Sequence, residues 1–484
     1  MTARDAFTTA AAALLGPRGF TQDPDLVDPW LTDWRGRYTG RAIGLASPAT
    51  TAEVSALVAL CAKHGVPLVP QGGNSGMSGG ATPDESGAAL VLSLRRMNRI
   101  VRLDAEAREI TCEAGVILQT LHEAVAPLAL RFPLTLGGKG SATVGGLIAT
   151  NAGGTQVLRH GSMRAQVLGI EAVLADGSVF DSLVPLKKDN RGFDLKQLLI
   201  GSEGTLGIIT GATLRLLPAL ADRVVLWAGL KDIRDARRLL VHTEAQAGDA
   251  LEGFEVMPRH SLQAVLDHNP RGRNPLGAMH EWNALIELVA DSASAATLPA
   301  RAQALLESAF EAGLVDDATI AMNETQAEEF WALRDEIAPA ERALGPAMQH
   351  DISVPVARMA DFVAETLGQV EARFPGTKAV AFGHLGDGNV HYHVLAPQGA
   401  VRGEWEATQG KQISSFVHDL VTQWGGSISA EHGIGQLKVA ELARLGDPVH
   451  LAMMAAVKRA LDPQGLLNPG KLVPQPLAHP APLG

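Results

Sequence analysis

The chain has 484 residues, of which 46% are hydrophobic and 19% charged, with a net charge of −11. That length allows two or three domains with sizeable cores. The acidic balance excludes a broad phosphate-backbone partner such as nucleic acid, and no apolar run reaches the ~20 residues that cross a bilayer.

In chain order, residues 1–40 predict a helical lead-in with Trp30 and Trp34 as packing anchors, and no basic region precedes an apolar run there. Residues 42–48 predict a short strand. Thr51 is the expected N-cap of a helix that places Val54, Leu57, Val58 and Cys61 on one face and closes at Gly65. A strand at 66–69 then runs into Pro70-Gln-Gly-Gly-Asn-Ser-Gly-Met-Ser-Gly-Gly80. Its backbone N–H groups can cradle an anion, and its lack of side chains lets a pyrophosphate come close. It has neither the Rossmann spacing nor the Gly-Lys-Ser/Thr ending of a P-loop. A flexible surface loop is the competing reading.

Strands follow at 88–94, 99–103 and 108–113, with a helix at 116–123. A second glycine block spans Leu136-Gly-Gly-Lys-Gly-Ser-Ala-Thr-Val-Gly-Gly-Leu-Ile-Ala-Thr-Asn-Ala-Gly-Gly154. Next come Arg159-His-Gly-Ser162 and a strand–turn–strand at 169–180 about Asp176-Gly177. Gln197-Leu-Leu-Ile-Gly-Ser-Glu-Gly-Thr-Leu-Gly-Ile-Ile-Thr210 leads a further strand to Leu217. The 51 glycines concentrate at 72–80, 137–154, 201–211, 383–388 and 425–435. Cys61 and Cys112 make neither a disulfide framework nor a cysteine-rich metal motif, so a reducing cytoplasm is the expected compartment.

After Pro218 the texture changes. Strands at 224–230, 251–256 and 284–290 and helices at 232–247, 297–312 and 325–343 predict an antiparallel sheet backed by helices, with a core of its own. Trp331-Ala-Leu-Arg-Asp-Glu336 carries Arg334, whose planar guanidinium can grip a carboxylate with two parallel hydrogen bonds. A solvated helical arginine is the ordinary alternative. His350-Asp-Ile-Ser-Val-Pro355 is a strand before a helix at 356–371.

Phe382-Gly-His-Leu-Gly-Asp-Gly-Asn-Val-His-Tyr-His393 carries three histidines in ten residues. Asp387-Gly388 predicts a two-residue type I′ turn. That turn sets His384 opposite His391, with Cβ atoms roughly 4.5–5.5 Å apart, and His393 on the same face. Two facing imidazoles can share an ion; a hairpin whose histidines only hydrogen-bond is the alternative. Ser427-Ile-Ser-Ala-Glu-His-Gly-Ile-Gly435 makes Glu431 and His432 neighbours. One can complete a His–His–carboxylate site while the other takes a proton; otherwise the stretch is a polar start to a helix at 437–445. A helix at 448–461 and Asp462-Pro-Gln-Gly-Leu-Leu-Asn-Pro-Gly-Lys471 close the fold. Residues 474–484 are expected to be disordered.

The order of these blocks over residues 40–217 resembles the FAD-binding domain of the vanillyl-alcohol oxidase / p-cresol methylhydroxylase superfamily. The later motifs resemble the FAD-linked D-2-hydroxy-acid dehydrogenases, which include D-lactate and D-2-hydroxyglutarate dehydrogenases and the flavin subunit of glycolate oxidase. The resemblance implies an α+β fold. Residues 1–39 lead in, and 40–217 form a FAD-binding domain of two subdomains. Residues 218–425 form an α+β substrate cap with an antiparallel sheet, and a helical segment at 426–473 returns to the flavin.

It implies FAD against Pro70, Gly72, Gly73, Asn74, Ser75 and Gly76, with Ser141, Gly145, Gly146, Asn151, Gly154, Glu203, Gly204, Gly207, Ile208 and Ile209 lining the rest and Asn468 nearby. No His or Cys stands in 71–80, which favours dissociable FAD; His160 and Cys112 leave a covalent link open. It implies a divalent metal (zinc, manganese or iron) on His384, His391 and Glu431, with His432 as the base. Arg334, Ala338, Gln349, His393 and His432 would face the substrate. The implied electron acceptor is electron-transfer flavoprotein, a quinone or a cytochrome, and a homodimer is open. Members acting on D-2-hydroxyglutarate show Lys, Thr and Asn where this chain has Gln349, Ala338 and His393. Those departures imply a preference for a D-2-hydroxy monocarboxylate such as D-lactate over D-2-hydroxyglutarate, which stays open because a protonated His393 would supply charge. The alternatives are a non-redox ether-lipid-synthase-type transferase and a flavin-carrying subunit of a larger complex.

Overall fold

The computed structural model describes residues 2–474. The expected disorder of 474–484 falls, beyond Pro474, outside the described residues. The fold is α+β, as expected, and divides into two units.

The first unit comprises residues 2–154, 160–218 and 432–474. Its four-stranded sheet runs Phe20–Thr21, Leu45–Ala46, Leu90–Ser93, Leu68–Gln71 in spatial order, the last three parallel. Every residue of Leu90–Ser93 is buried, the pattern of a parallel strand covered on both faces. The helix Thr51–His64 packs here through Val54, Leu57, Val58 and Cys61. Its N-cap is Thr50 rather than Thr51: the Thr50 hydroxyl accepts from the Glu53 N–H, so Thr51 is already helical. Gly65 closes it in the left-handed conformation, at φ 65°. The strand Leu68–Gln71 releases the glycine loop at its C-terminal end, where open α/β sheets hold ligands.

A five-stranded antiparallel sheet follows, in the order Ile100–Asp104, Glu109–Glu113, Ile208–Arg215, Val167–Val173, Val179–Ser182. It shares a core with the helices Leu118–Val125 and Val144–Thr150. Trp30 is a partly buried anchor in this unit, but Trp34 is 58% exposed and anchors nothing.

The C-terminal helix Pro448–Leu461 is tied down by one partly buried charge. Lys458 Nζ donates to the carbonyls of Thr205 (2.7 Å) and Leu467 (2.8 Å) and to Asp462 Oδ2 (2.5 Å). The Asp462 carboxylate also accepts the Leu466 and Leu467 N–H groups. Leu467 then bridges Leu68 in parallel, beside the strand that carries the glycine loop.

The second unit holds a seven-stranded antiparallel sheet in the order Asp317–Ile320, Asp222–Leu230, Trp282–Ala290, Leu251–Pro258, Lys378–His384, Asn389–Leu395, Ala347–Ser353. Helices Ile233–Ala247, Leu298–Glu311, Met359–Arg373 and Lys411–Gln423 cover one face. Helices Arg259–His268, Glu324–Asp335 and Ile337–Leu344 cover the other, around Trp227 and Phe382. The helix expected over 325–343 is thus two helices, broken at Glu336. Residues 427–436 do not start a helix; the next helix begins at Val439.

The histidine hairpin differs from the expected two-residue turn. Phe382, not His384, pairs with His391, and residues 385–388 form the connection. Of the two expected turn residues only Gly388 has positive φ, at 82°. The cause is that Gly383 and His384 leave this partner to pair with Val256 and Glu255 of the strand on the other side. A shift of two residues preserves the alternation of faces, so His384 still points to the side of His391.

Replacing Lys458 by Met would leave the Asp462 carboxylate, whose side chain is 0% exposed, without its cation. The expected result is a loss of about 3 kcal/mol of stability. The midpoint of the first transition in urea checks it.

Candidate functional site

In the first unit one cavity is lined by Pro70, Gly72, Gly73, Asn74, Ser75, Gly76, Gly145, Gly146, Glu203, Gly204, Gly207, Ile208, Ile209 and His432, among others. Most of the expected cofactor positions therefore converge, and His432 joins them. Ser141 instead lines an adjoining cleft that shares Gly72–Asn74. Asn151, Gly154 and Asn468 line neither. Asn151 caps the helix Val144–Thr150 at φ 49°, and its Oδ1 accepts from Ser162 Oγ and the Arg164 N–H, both at 2.9 Å. Asn468 Nδ2 donates to the carbonyls of Gly80 (2.9 Å) and Glu203 (2.7 Å). These two shape the wall from behind.

The loop glycines serve different ends. A Cβ on Gly73 would lie 1.7 Å from the Ser141 carbonyl oxygen, so that glycine lets two backbones touch rather than clearing a phosphate path. A Cβ on Gly76 would meet nothing within 4 Å, although Gly76 lines the cavity. An open backbone cradle of this kind suits a pyrophosphate. Cys112 is buried within the strand Glu109–Glu113, and burial pushes its thiol up to about 12. Neither it nor His160, whose Nε2 lies 3.2 Å from Arg131 Nη2, lines the cavity.

In the second unit the ligand atoms of His384, His391 and Glu431 lie within 4.8 Å of one another. The His384 and His391 ring centroids are 5.5 Å apart. Nδ1 of His384 is buried and makes no hydrogen bond among the described residues, the nearest carboxylate oxygen being Asp387 Oδ2 at 3.6 Å. Two imidazoles, a carboxylate and an orphaned nitrogen fit a zinc-, manganese- or iron-type ion. Asp351 accepts the Glu431 N–H (2.9 Å) and Asn389 Nδ2 (2.8 Å), which fixes the backbone under the carboxylate.

Burial opposes charge on His384, but Glu255, Asp387 and Glu431 outweigh it and raise the ring to about 9. Burial raises Glu431 to about 7. Burial, followed by the charge of Arg334, holds His391 well below the ordinary imidazole range.

Arg334 is partly buried at the end of the helix Glu324–Asp335. Its Nε donates to Glu255 Oε2 at 2.7 Å, while Glu255 Oε1 stands 3.5 Å from His384 Nε2. Burial alone would raise Glu255; Arg334 and His384 overcome it and hold the carboxylate low. The guanidinium lies 5.3 Å from the Phe382 ring, which also contacts the rings of His391 (5.1 Å) and His393 (5.0 Å). One wall therefore carries the clamp candidate and both histidines. His393 Nδ1 pairs with Glu341 Oε2 at 2.5 Å, and Ser261 Oγ donates to Glu341 Oε1 at 2.8 Å. Gln349 is the cross-strand partner of His393. Ala338 is half-buried on the helix after the Glu336 break.

Glu255, Glu341, Asp351 and Phe382 were not singled out in the sequence as site residues. The signal for Glu255 was available: an acid at a buried position of the apolar strand Leu251–Pro258.

Residues 220–472 match the family described as FAD linked oxidases, C-terminal domain, and residues 42–182 match the FAD binding domain. The chain belongs to the FAD-linked oxidases. A probable mitochondrial D-2-hydroxyglutarate dehydrogenase of Oryza sativa subsp. japonica is 37% identical over 96% of this chain and 81% of its own. A D-2-hydroxyglutarate dehydrogenase of Xanthomonas citri pv. viticola is 35% identical over 93% of each chain. The crystal structure of p-cresol methylhydroxylase with substrate bound covers 98% of this chain and 97% of its own, with a TM-score of 0.75 at 16% identity, a likeness of fold. The FAD-linked oxidase described here is an oxidoreductase with FAD as its cofactor, and among its described residues no helix is long and apolar enough to cross a membrane.

Gly76→Val separates the cofactor from the fold in this oxidase. The side chain meets no protein atom, yet it enters the cavity that fits FAD. The expected variant is folded but retains less than stoichiometric FAD, with binding weaker by about tenfold or more, as inserted bulk typically costs 1–3 kcal/mol. Flavin absorbance per protein, beside an unchanged circular dichroism spectrum, checks it.

Proposed function

We propose that this oxidase converts a D-2-hydroxy acid to the 2-oxo acid, with His432 taking the hydroxyl proton, Arg334 gripping the carboxylate and a divalent ion on His384, His391 and Glu431. The observation that carries the reading is the convergence of those three donors within 4.8 Å on a unit that also holds a partly buried guanidinium against the buried Glu255. The names of the relatives support the substrate class. When bound, FAD supplies the hydride acceptor and the ion a Lewis acid that lowers the hydroxyl pKa.

The protein's own work is placement. Arg334 has Nε committed to Glu255, while Nη1 and Nη2 make no hydrogen bond among the described residues. Those two groups suit a carboxylate and fix which face of the α-carbon is presented. His432 lines the cavity assigned to FAD, so an accepted proton would leave beside the flavin. The acceptor of the electrons is a second partner, an electron-transfer flavoprotein, a quinone or a cytochrome, rather than oxygen. Cys61 and Cys112, buried free thiols that burial raises to about 12, suit a reducing compartment such as the cytoplasm.

The preferred substrate carries one carboxylate. The distal candidates are Gln349, which is neutral, Ala338, which is apolar, and His393, whose Nδ1 already faces the buried Glu341 carboxylate. A second carboxylate would find no unmatched cation among these three, and charge-assisted bonds are roughly twice as strong as neutral ones.

Under one dye assay, kcat/KM should be higher for D-lactate and D-2-hydroxybutyrate than for D-malate and D-2-hydroxyglutarate, and Gln349→Lys should shift the ratio toward dicarboxylates. The same acids should bleach the flavin without oxygen, with slow recolouring in air. A clear advantage for D-2-hydroxyglutarate sinks the monocarboxylate reading, absence of bleaching sinks the dehydrogenase reading in favour of a transferase or carrier, and rapid peroxide formation sinks the acceptor reading. For the ion, His384→Ala and His391→Ala should each lose bound metal and most turnover while keeping the flavin spectrum. Elemental analysis decides: a metal-free wild-type preparation, fully active and indifferent to chelator, rules the ion out.

A further inference from the structure

We infer that Glu203 and Ser78 are positioning residues for His432: they hold the backbone of residues 432–437 and thereby set where the imidazole stands against the cofactor cavity. The inference rests on the reading of His432 as proton acceptor.

Glu203 lines the cavity, which made it a candidate cofactor contact, but its carboxylate is committed elsewhere. Oε1 accepts the Ile434 N–H at 2.8 Å and Oε2 the Gly435 N–H at 2.7 Å. The chain there curls through Gly433 at φ 74° and Gly435 at φ 52°, so that successive N–H groups turn toward the carboxylate, an anion-binding curl of backbone. A Cβ on Gly433 would stand 2.8 Å from Glu203 Oε1. Glu203 is itself held at φ 51° by its N–H on the Ala149 carbonyl (2.7 Å) and its carbonyl under Asn468 Nδ2 (2.7 Å).

Ser78 grips the same segment from the glycine loop. Its Oγ donates to the carbonyls of His432 (3.1 Å) and Gly433 (3.0 Å). Its own carbonyl accepts the N–H groups of Gln436 (3.1 Å) and Leu437 (3.2 Å). The approach is close enough that a Cβ on Gly435 would fall 2.1 Å from the Ser78 oxygen. Six backbone groups after and including the His432 carbonyl are thus satisfied by two side chains and one carbonyl. Burial raises the Glu203 carboxyl, and the Ile434 and Gly435 N–H groups, with the charge of Lys438, act against that rise. Both N–H groups fall on the segment that carries the base.

The experiment uses flavin-loaded protein and follows flavin bleaching by D-lactate, or by whichever D-2-hydroxy acid the wild type oxidises best, without oxygen. Glu203→Gln puts an amide NH2 against one of the two N–H donors, and Glu203→Asp keeps the charge but shortens the reach. The expected Gln variant retains FAD and its KM within about twofold, while the bleaching rate falls about 10- to 100-fold, the range for a misplaced reacting group. Added imidazole should restore much of the rate in Glu203→Gln and in His432→Ala, because a base in solution replaces one that is misplaced or missing. Ser78→Ala, which removes only the hydroxyl, should show the same pattern more weakly and serves if the Glu203 variants do not fold. A Gln variant that bleaches at the wild-type rate, or a slow one that imidazole leaves unchanged, overturns the inference. Bleaching at the wild-type rate in His432→Ala overturns the reading of His432 itself, and the inference with it.

Discussion

Buried acid must be matched by donors, and that constraint organises both units. Leaving a carboxylate in a low-dielectric interior without partners is costly enough that it would protonate or unfold its surroundings. Each case here is answered by a different device. Asp462 has an ammonium and two backbone N–H groups. Glu203 has two backbone N–H groups and Glu255 a guanidinium. Glu341 has a hydroxyl and an imidazole, and Asp351 an amide and a backbone N–H. The match fixes the partner as firmly as it satisfies the acid, so the acids act as the fasteners of the segments that carry chemistry.

Much of this was legible in the sequence because the chemistry is local there. The glycine loops announce themselves by composition, and the histidines of Phe382–His393 lie within one hairpin. The expected turn was wrong, yet the expected convergence of His384 and His391 survived, because the register moved by two residues and the strand period is two. A shift of one would have sent His384 to the opposite face. The helix cap moved from Thr51 to Thr50 because two adjacent threonines offer the same hydroxyl, and the sequence does not say which one leaves the helix.

What was not legible is long-range. Glu255 stands 79 positions from Arg334, Glu341 stands 52 from His393, and Glu203 stands 231 from Ile434. No local period reports such pairings. An acid in an apolar strand signals that a partner exists, but not which residue it is. The glycines show the same limit. Composition found Gly73 and Gly76 together, while only the structure separates the one that admits a neighbouring backbone from the one that faces open space.

The first unit is also discontinuous along the chain, and this bears on the order in which the protein is made. Its glycine-loop strand takes Leu467 as a neighbour, and its C-terminal helix takes Lys458 to Thr205. Both contacts wait for residues that leave the ribosome after the whole stretch Ala219–Glu431. At roughly 5–20 residues per second, translating that stretch takes on the order of ten to forty seconds. By the end of that interval the second unit has all its strands and can close its sheet, while the flavin-binding unit still lacks an edge. Nascent chains should therefore acquire the cofactor late, close to release, rather than as the FAD-binding segment first emerges.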